Sequence, residues 1–161
     1  RLAQALVPGM SLTENLALRE YRKPRLRARG LLRWPAARQW AMELIRAYDV
    51  RTPGVDVPIE QLSGGNQQKV VLARELSGSP VLILAHNPVR GLDIAATRFV
   101  FDALLAQRGR GAGILLIHSD LDELLPIADR LYVMYAGRCI AADWPGCGRE
   151  AVGRLMLGAA G

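Results

Sequence analysis

An α/β fold built on a parallel sheet is what this sequence predicts, and three observations carry that reading. Two uninterrupted apolar runs of strand length, Val81-Leu-Ile-Leu-Ala85 and Ile114-Leu-Leu-Ile117, have the composition of strands buried on both faces by covering helices. A helix-length segment lies between them. The chain of 161 residues is half hydrophobic, enough to bury one domain-sized core.

The elements follow in order. The passage Ala5 to Leu18 reads as the middle of a domain, with Ser11 or Thr13 placed to cap a short helix through Leu18. A basic segment comes next: Arg19, Arg22, Lys23, Arg25, Arg27, Arg29 and Arg33 surround Pro24, with Glu20 as the only acid. Its plainest account is a solvated loop and helix face. Pro35 suits the first helical position of Ala36 to Tyr48, whose Trp40, Leu44, Ile45 and Tyr48 form an apolar stripe at helical spacing, more in keeping with core than with ligand contacts. Thr52 to Pro58 is a connector into a turn at Gln61 to Gly65. From Asn66 a helix carries Val70, Val71, Leu72, Ala73 and Leu76 and stops near Gly78 and Pro80. After the first apolar strand, Asp93 caps Ile94 to Gln107, which Gly109 and Gly111 end. After the second, Ser119 and Asp122 form a capping box for a helix through Ala128. Leu131–Tyr135 and Cys139–Ala142, joined through Ala136-Gly137-Arg138, read as a hairpin closing the sheet edge, and Arg149 to Leu157 as a last short helix. There is no internal repeat.

Composition narrows the function classes. No apolar run approaches the roughly 20 residues a membrane-spanning helix needs, and the start lacks the regions of a signal peptide. Mean hydropathy is +0.10, ordinary for an α/β protein outside the membrane. Cys139 and Cys147 are too few for a disulfide scaffold and too far apart for a zinc knuckle, which favours a reducing setting, and no metal site is expected. The net charge of +6 suggests an anionic partner, but aromatic residues interleave poorly with the basic segment, so nucleic acid is not expected.

Chemistry concentrates at Leu62-Ser-Gly-Gly-Asn-Gln-Gln-Lys69. Ser63 offers a hydroxyl, Gly64 and Gly65 let the backbone approach an anion closely, and the helix that follows adds the partial positive charge of its N-terminus. A bare Ser-Gly-Gly before a helix is more often an ordinary N-cap. Its length and its place ahead of a buried strand change that. The stretch resembles the signature of ABC ATPases, in the form found in the second of two tandem domains of simple-sugar and nucleoside importers.

That resemblance extends over nearly the whole chain. Val7 to Asn15 is similar to the segment that follows the family's Q-loop; Val81 to Ala85 looks like the Walker B strand; Pro88 to Asp93 looks like the D-loop; Leu115 to Glu123 looks like the switch region; Gly153 to Met156 has the look of the closing helix. The fold so implied is part of a P-loop NTPase domain. Residues 1–80 would be the helical signature subdomain with its lead-in, and residues 81–161 the C-terminal part of the RecA-like ATP-binding core.

Departures from the pattern are as informative. Aligned on Pro88, the Walker B aspartate and the catalytic glutamate fall on His86 and Asn87. Imidazole is a poor ligand for Mg²⁺, and an amide cannot accept a proton from water. His86 therefore reads first as a strand-end histidine bonded to backbone. The switch histidine falls on Ser119, with His118 one place early and its side chain expected on the other sheet face; capping by Ser119 is the simpler account, and substitution by His118 the alternative. A P-loop is absent from the chain: Gly148 and Gly153 have its spacing but are followed by Arg154 and Leu155. With Arg1 in place of a start methionine, a truncated domain is expected, with a P-loop encoded upstream.

The resemblance implies ATP and Mg²⁺ held mainly by a partner domain's P-loop and Walker B. This chain would supply Ser63, Gly64, Gly65, Asn66 and Gln67 of its signature, with Asp93 of its D-loop, while its own catalytic positions are degenerate and the fragment alone inactive. It further implies membrane-spanning permease subunits, indirectly a solute-binding protein, and a peripheral place on the cytoplasmic face of the membrane. Arg19 to Arg33 would then meet a membrane subunit or anionic headgroups. Two other readings compete. A chromosome-organising ATPase would need long heptad-patterned helices and intact acids after the strand, neither of which is here. A non-catalytic docking module would join its partner without ATP.

Overall fold

The computed structural model describes residues 5–158. Packing divides the chain between Leu115 and Leu116 into two compact units.

In the first unit, α1 (Leu12–Ala17) starts at a complete capping box: Ser11 Oγ accepts from Glu14 N–H at 3.2 Å, and Glu14 Oε2 accepts from Ser11 N–H at 2.7 Å. Of the two candidate caps the structure takes Ser11; Thr13 Oγ1 donates instead to the Val55 carbonyl at 3.0 Å. Asn15, fully buried, donates to the carbonyls of Val7, Met10 and Ser11 and accepts from Val7 N–H, so the loop before the helix is fastened by one satisfied polar side chain.

A short hairpin not foreseen from periodicity follows, β1 (Arg27–Ala28) and β2 (Leu31–Leu32). Its turn residues Arg29 and Gly30 both have positive φ, 49° and 86°, the geometry that matches strand twist in a two-residue turn. Strands of two residues are too short to leave an alternation in the sequence. Then α2 (Trp34–Ala47) begins two residues earlier than expected, with Pro35 in its first turn and Ala37, Trp40, Ala41 and Leu44 as its buried stripe. These pack with Leu12, Leu16, Leu26, Ile59 and Val70 into the main core. After a 3-10 turn at Ile59–Gln61, α3 (Gly64–Leu76) takes Ser63 as N-cap and includes both glycines, again two residues earlier than expected.

Strands β3 (Leu82–His86) and β4 (Gly113–Ile117) pair through the crossover α4 (Ile94–Gly109) and run parallel, with Gly113 N–H donating to the Val81 carbonyl at 2.9 Å. Burial on both faces, however, is not what forms. Leu82 and Leu84 are each 68% exposed while Ile83 and Ala85, alternating with them, are half-buried, because nothing among the described residues covers the face of the two leucines. An all-apolar run has no polar face to reveal which side lies open.

In the second unit, α5 (Leu121–Leu124) is one turn long and stops well short of Ala128. Its cap is Asp120, whose carboxylate accepts from Asp122 N–H at 2.8 Å, and not Ser119. A carboxylate one position closer to the helix outcompetes the hydroxyl for the first free N–H. The hairpin β5 (Leu131–Tyr135) and β6 (Arg138–Ala142) pairs Leu131 with Ala142 and Tyr135 with Arg138 across a positive-φ Ala136-Gly137 turn. Among the described residues it forms a two-stranded sheet of its own and pairs with no other strand, so it does not close the edge of another sheet as expected. Val152 of α6 (Arg149–Met156) is fully buried with Leu131 and Val133, and Trp144 Nε1 donates to the Ala128 carbonyl at 2.9 Å.

Candidate functional site

The first turns of α3 and α4 lie side by side. A Cβ placed on Gly65 would stand 3.9 Å from Ala96 Cβ, and Gln68 Nε2 donates to the Pro88 carbonyl at 2.9 Å, tying α3 to the turn after β3. Nothing in the sequence pattern marks Gln68 for this role. Asp93 caps α4 by accepting from Ala96 N–H at 2.8 Å. Ser63 and Asp93 are thereby brought to one surface, both exposed.

Ser63 sits at the N-cap with extended backbone but caps nothing: its Oγ accepts from Asn66 Nδ2 at 2.9 Å, and no side chain serves the helix N–H groups. Asn66 is fixed in turn by Oδ1 accepting from Arg51 N–H at 2.8 Å, and Gln67 Nε2 donates to the Leu62 carbonyl at 2.9 Å. A 13-residue helix thus ends in a glycine pair with its first amides uncapped and its polar side chains turned onto one another. That is a surface suited to an anion brought from outside. Lys69, last of the motif, is spent elsewhere: Nζ reaches Asp49 Oδ2 at 2.8 Å and stands 4.8 Å above the Phe99 ring. The Lys69 hydrogen bond and charge hold the Asp49 carboxyl below the usual carboxylate range.

At the end of β3, His86 Nε2 lies 3.2 Å from Asn87 Nδ2, so its partner is the neighbouring side-chain amide and not the backbone expected from sequence. Asn87 adopts a left-handed φ of 46°, a conformation Asn tolerates better than most residues. In the second unit, His118 lies past the end of β4, its side chain 5% exposed and Nε2 2.5 Å from Glu123 Oε2. It does not alternate onto a sheet face, because the strand has ended. Glu123 as its partner was not legible in the motif. Ser119 is exposed and serves no cap.

No family model matches the chain. It is 36% identical over 159 residues to the nucleoside import ATP-binding protein NupA of Lactococcus lactis, and 38% identical over 159 residues to the guanosine import ATP-binding protein NupO of Bacillus subtilis. Each match takes in 98% of this chain and 31% of the relative. Among solved structures it is similar to the dimeric ATP-binding cassette MJ0796 bound to ADP and Pi, with a TM-score of 0.66 and 26% identity over 82% of this chain and 55% of that one. The chain belongs to the ABC-type ATP-binding proteins. It spans about a third of the length of these curated relatives.

For an ABC chain the two ends of the site differ in what they fit. The amino end of α3 presents backbone N–H groups and a helix N-terminus, which suit phosphate oxygens. The end of β3 offers an imidazole and an amide already bonded to each other, and Mg²⁺ prefers hard, anionic oxygen. His86 and Asn87 do not fit that ion, and no step of a reaction is routed through them.

Proposed function

We propose that this chain serves as part of the nucleotide-binding component of an ABC importer for a sugar or nucleoside, presenting its signature surface to an ATP whose P-loop, Mg²⁺ and catalytic glutamate belong to a second ABC domain. The uncapped amino end of α3 is the observation that carries this reading. Gly64, Gly65 and Asn66 would donate N–H groups to the terminal phosphate, Ser63 would add its hydroxyl, Gln67 would hold the turn, and Asp93 would set the neighbouring helix start. The dimeric state of the MJ0796 cassette and the import functions of NupA and NupO support the partnership with a second domain and with permease subunits, and indirectly with a solute-binding protein.

Residues 1–80 act in this reading as the signature subdomain and residues 81–161 as part of the ATP-binding core, peripheral on the cytoplasmic face of a membrane. No described helix is long and apolar enough to cross one. The chain's own catalytic positions are degenerate, His86 and Asn87 after β3 and, separately, Ser119 and His118 at the switch, so they would support hydrolysis poorly, and the fragment alone is inactive. Single-turnover hydrolysis by the full-length protein tests the assignment. Ser63→Arg fills the anion's place with a long side chain and is expected to abolish turnover; wild-type turnover in that variant refutes it.

A further inference from the structure

We propose that the segment from Tyr21 to Trp34 is a membrane-surface contact that binds anionic lipid headgroups. The charge there is sorted. Glu20 is buried and holds Lys23 at 3.1 Å and also Arg25, whose guanidinium lies 4.4 Å above the Trp40 ring; Arg19 pairs with Glu75. These cations are neutralised or committed to the fold. Arg22, Arg27, Arg29 and Arg33 are all exposed, and none has a carboxylate partner among the described residues. Four unneutralised arginines within twelve positions are a strong local attractor for anions.

Apolar groups stand among these charges. Leu31 is 75% exposed beside the hairpin turn, and Tyr21 and Trp34 are each nearly half-exposed. Exposed leucine costs stability in water and recovers it in a bilayer interface, where tyrosine and tryptophan also settle at headgroup depth. An acidic protein surface would satisfy the arginines but would leave Leu31 unexplained. The β1–β2 ribbon carries Arg27 and Leu32 as a cross-strand pair, and between the ribbon and the preceding turn is a cleft of about 560 Å³ lined by Tyr21, Arg22, Arg27, Gly30 and Leu32. Two guanidinium groups beside an aromatic ring and a leucine suit a phosphate with apolar chain next to it. Arg22 is already stacked 5.4 Å from the Tyr21 ring, which limits the freedom lost on binding.

The test is co-sedimentation of the full-length protein with phosphatidylcholine vesicles, with and without phosphatidylglycerol. Binding is expected only with phosphatidylglycerol and is expected to fall as salt rises. Replacing three exposed arginines together, Arg22→Gln, Arg27→Gln and Arg29→Gln, should weaken partitioning about a hundredfold, at about fivefold each. Leu31→Ser should weaken it with the charge unchanged. Equal binding to both vesicle types, no binding to either, or a triple variant that binds like the parent overturns the proposal. So does a triple variant that keeps its lipid binding while losing the permease reconstituted in phosphatidylcholine alone, since that outcome assigns the arginines to an acidic protein surface. Ser63→Arg should leave vesicle binding intact, which separates this inference from the reading of the signature.

Discussion

Replacing Gly65 by aspartate sets stability and activity in opposite directions. A Cβ at this position meets only Ala96 Cβ at 3.9 Å, an ordinary contact, and the backbone there is not left-handed. The fold should accept the side chain, and an acid in the first turn of a helix that loses a glycine is neutral to stabilising, by up to about 1 kcal/mol. Toward a bound phosphate the sign reverses. A carboxylate about 4 Å from a phosphate charge, at the effective dielectric of about 20 found near protein surfaces, opposes it by about 4 kcal/mol, or roughly a thousandfold in rate. Gly65→Ala is the neutral control, losing only close approach; forfeiting one hydrogen bond to a charged group costs about 1.5–3 kcal/mol, roughly ten- to a hundredfold. Thermal melting of both variants and single-turnover hydrolysis in the full-length protein supply the readouts. An aspartate variant that folds normally and hydrolyses no more slowly than the alanine variant would refute the placing of a phosphate at this helix end.

Other consequences concern the fold. Asp93→Ala removes the acceptor for Ala96 N–H and should cost about 1 kcal/mol of stability, while Asp93→Asn keeps most of it; chemical denaturation distinguishes them. Glu14 has its carboxyl held below the ordinary value, first by the hydrogen bond from Ser11 N–H and then by the Ser11 hydroxyl, so its contribution is fully present above the unfolded carboxyl range and is lost as pH falls through the folded value. Glu14→Gln should therefore be less stable than the parent near neutrality, by about 0.5–1 kcal/mol, with the gap closing in acid. Leu12→Ala, at a site with no exposure, should cost about 2–5 kcal/mol, and Leu31→Ala less than about 0.5 kcal/mol.

Local chemistry was legible wherever a residue acts on its near neighbours. Ser11, Ser63 and Asp93 stand at helix starts as the sequence suggests, and Ala136-Gly137 turns the second hairpin, because caps and tight turns depend on a few adjacent backbone groups. The helical spacing of Trp40, Leu44, Ile45 and Tyr48 marks the inward face for the same reason, with Trp40 and Leu44 buried and Ile45 and Tyr48 half-buried, while Ala37 and Ala41 complete it unforeseen. Where two local options competed, spacing did not choose: Asp120 and not Ser119 caps α5, since the stronger acceptor one residue nearer wins.

By itself, then, the sequence determined the α/β class and a helix directly after the Ser-Gly-Gly motif. Tertiary structure alone decided the pairing of α3 with α4 through Gln68, the commitment of Lys69 to Asp49 and the pairing of Arg19 with Glu75. The physical reason is range. Propensity, capping and periodicity act within one or two helical turns, whereas the partner that satisfies a charge or covers an apolar face arrives from a distant part of the chain, and only the packed backbone brings it there.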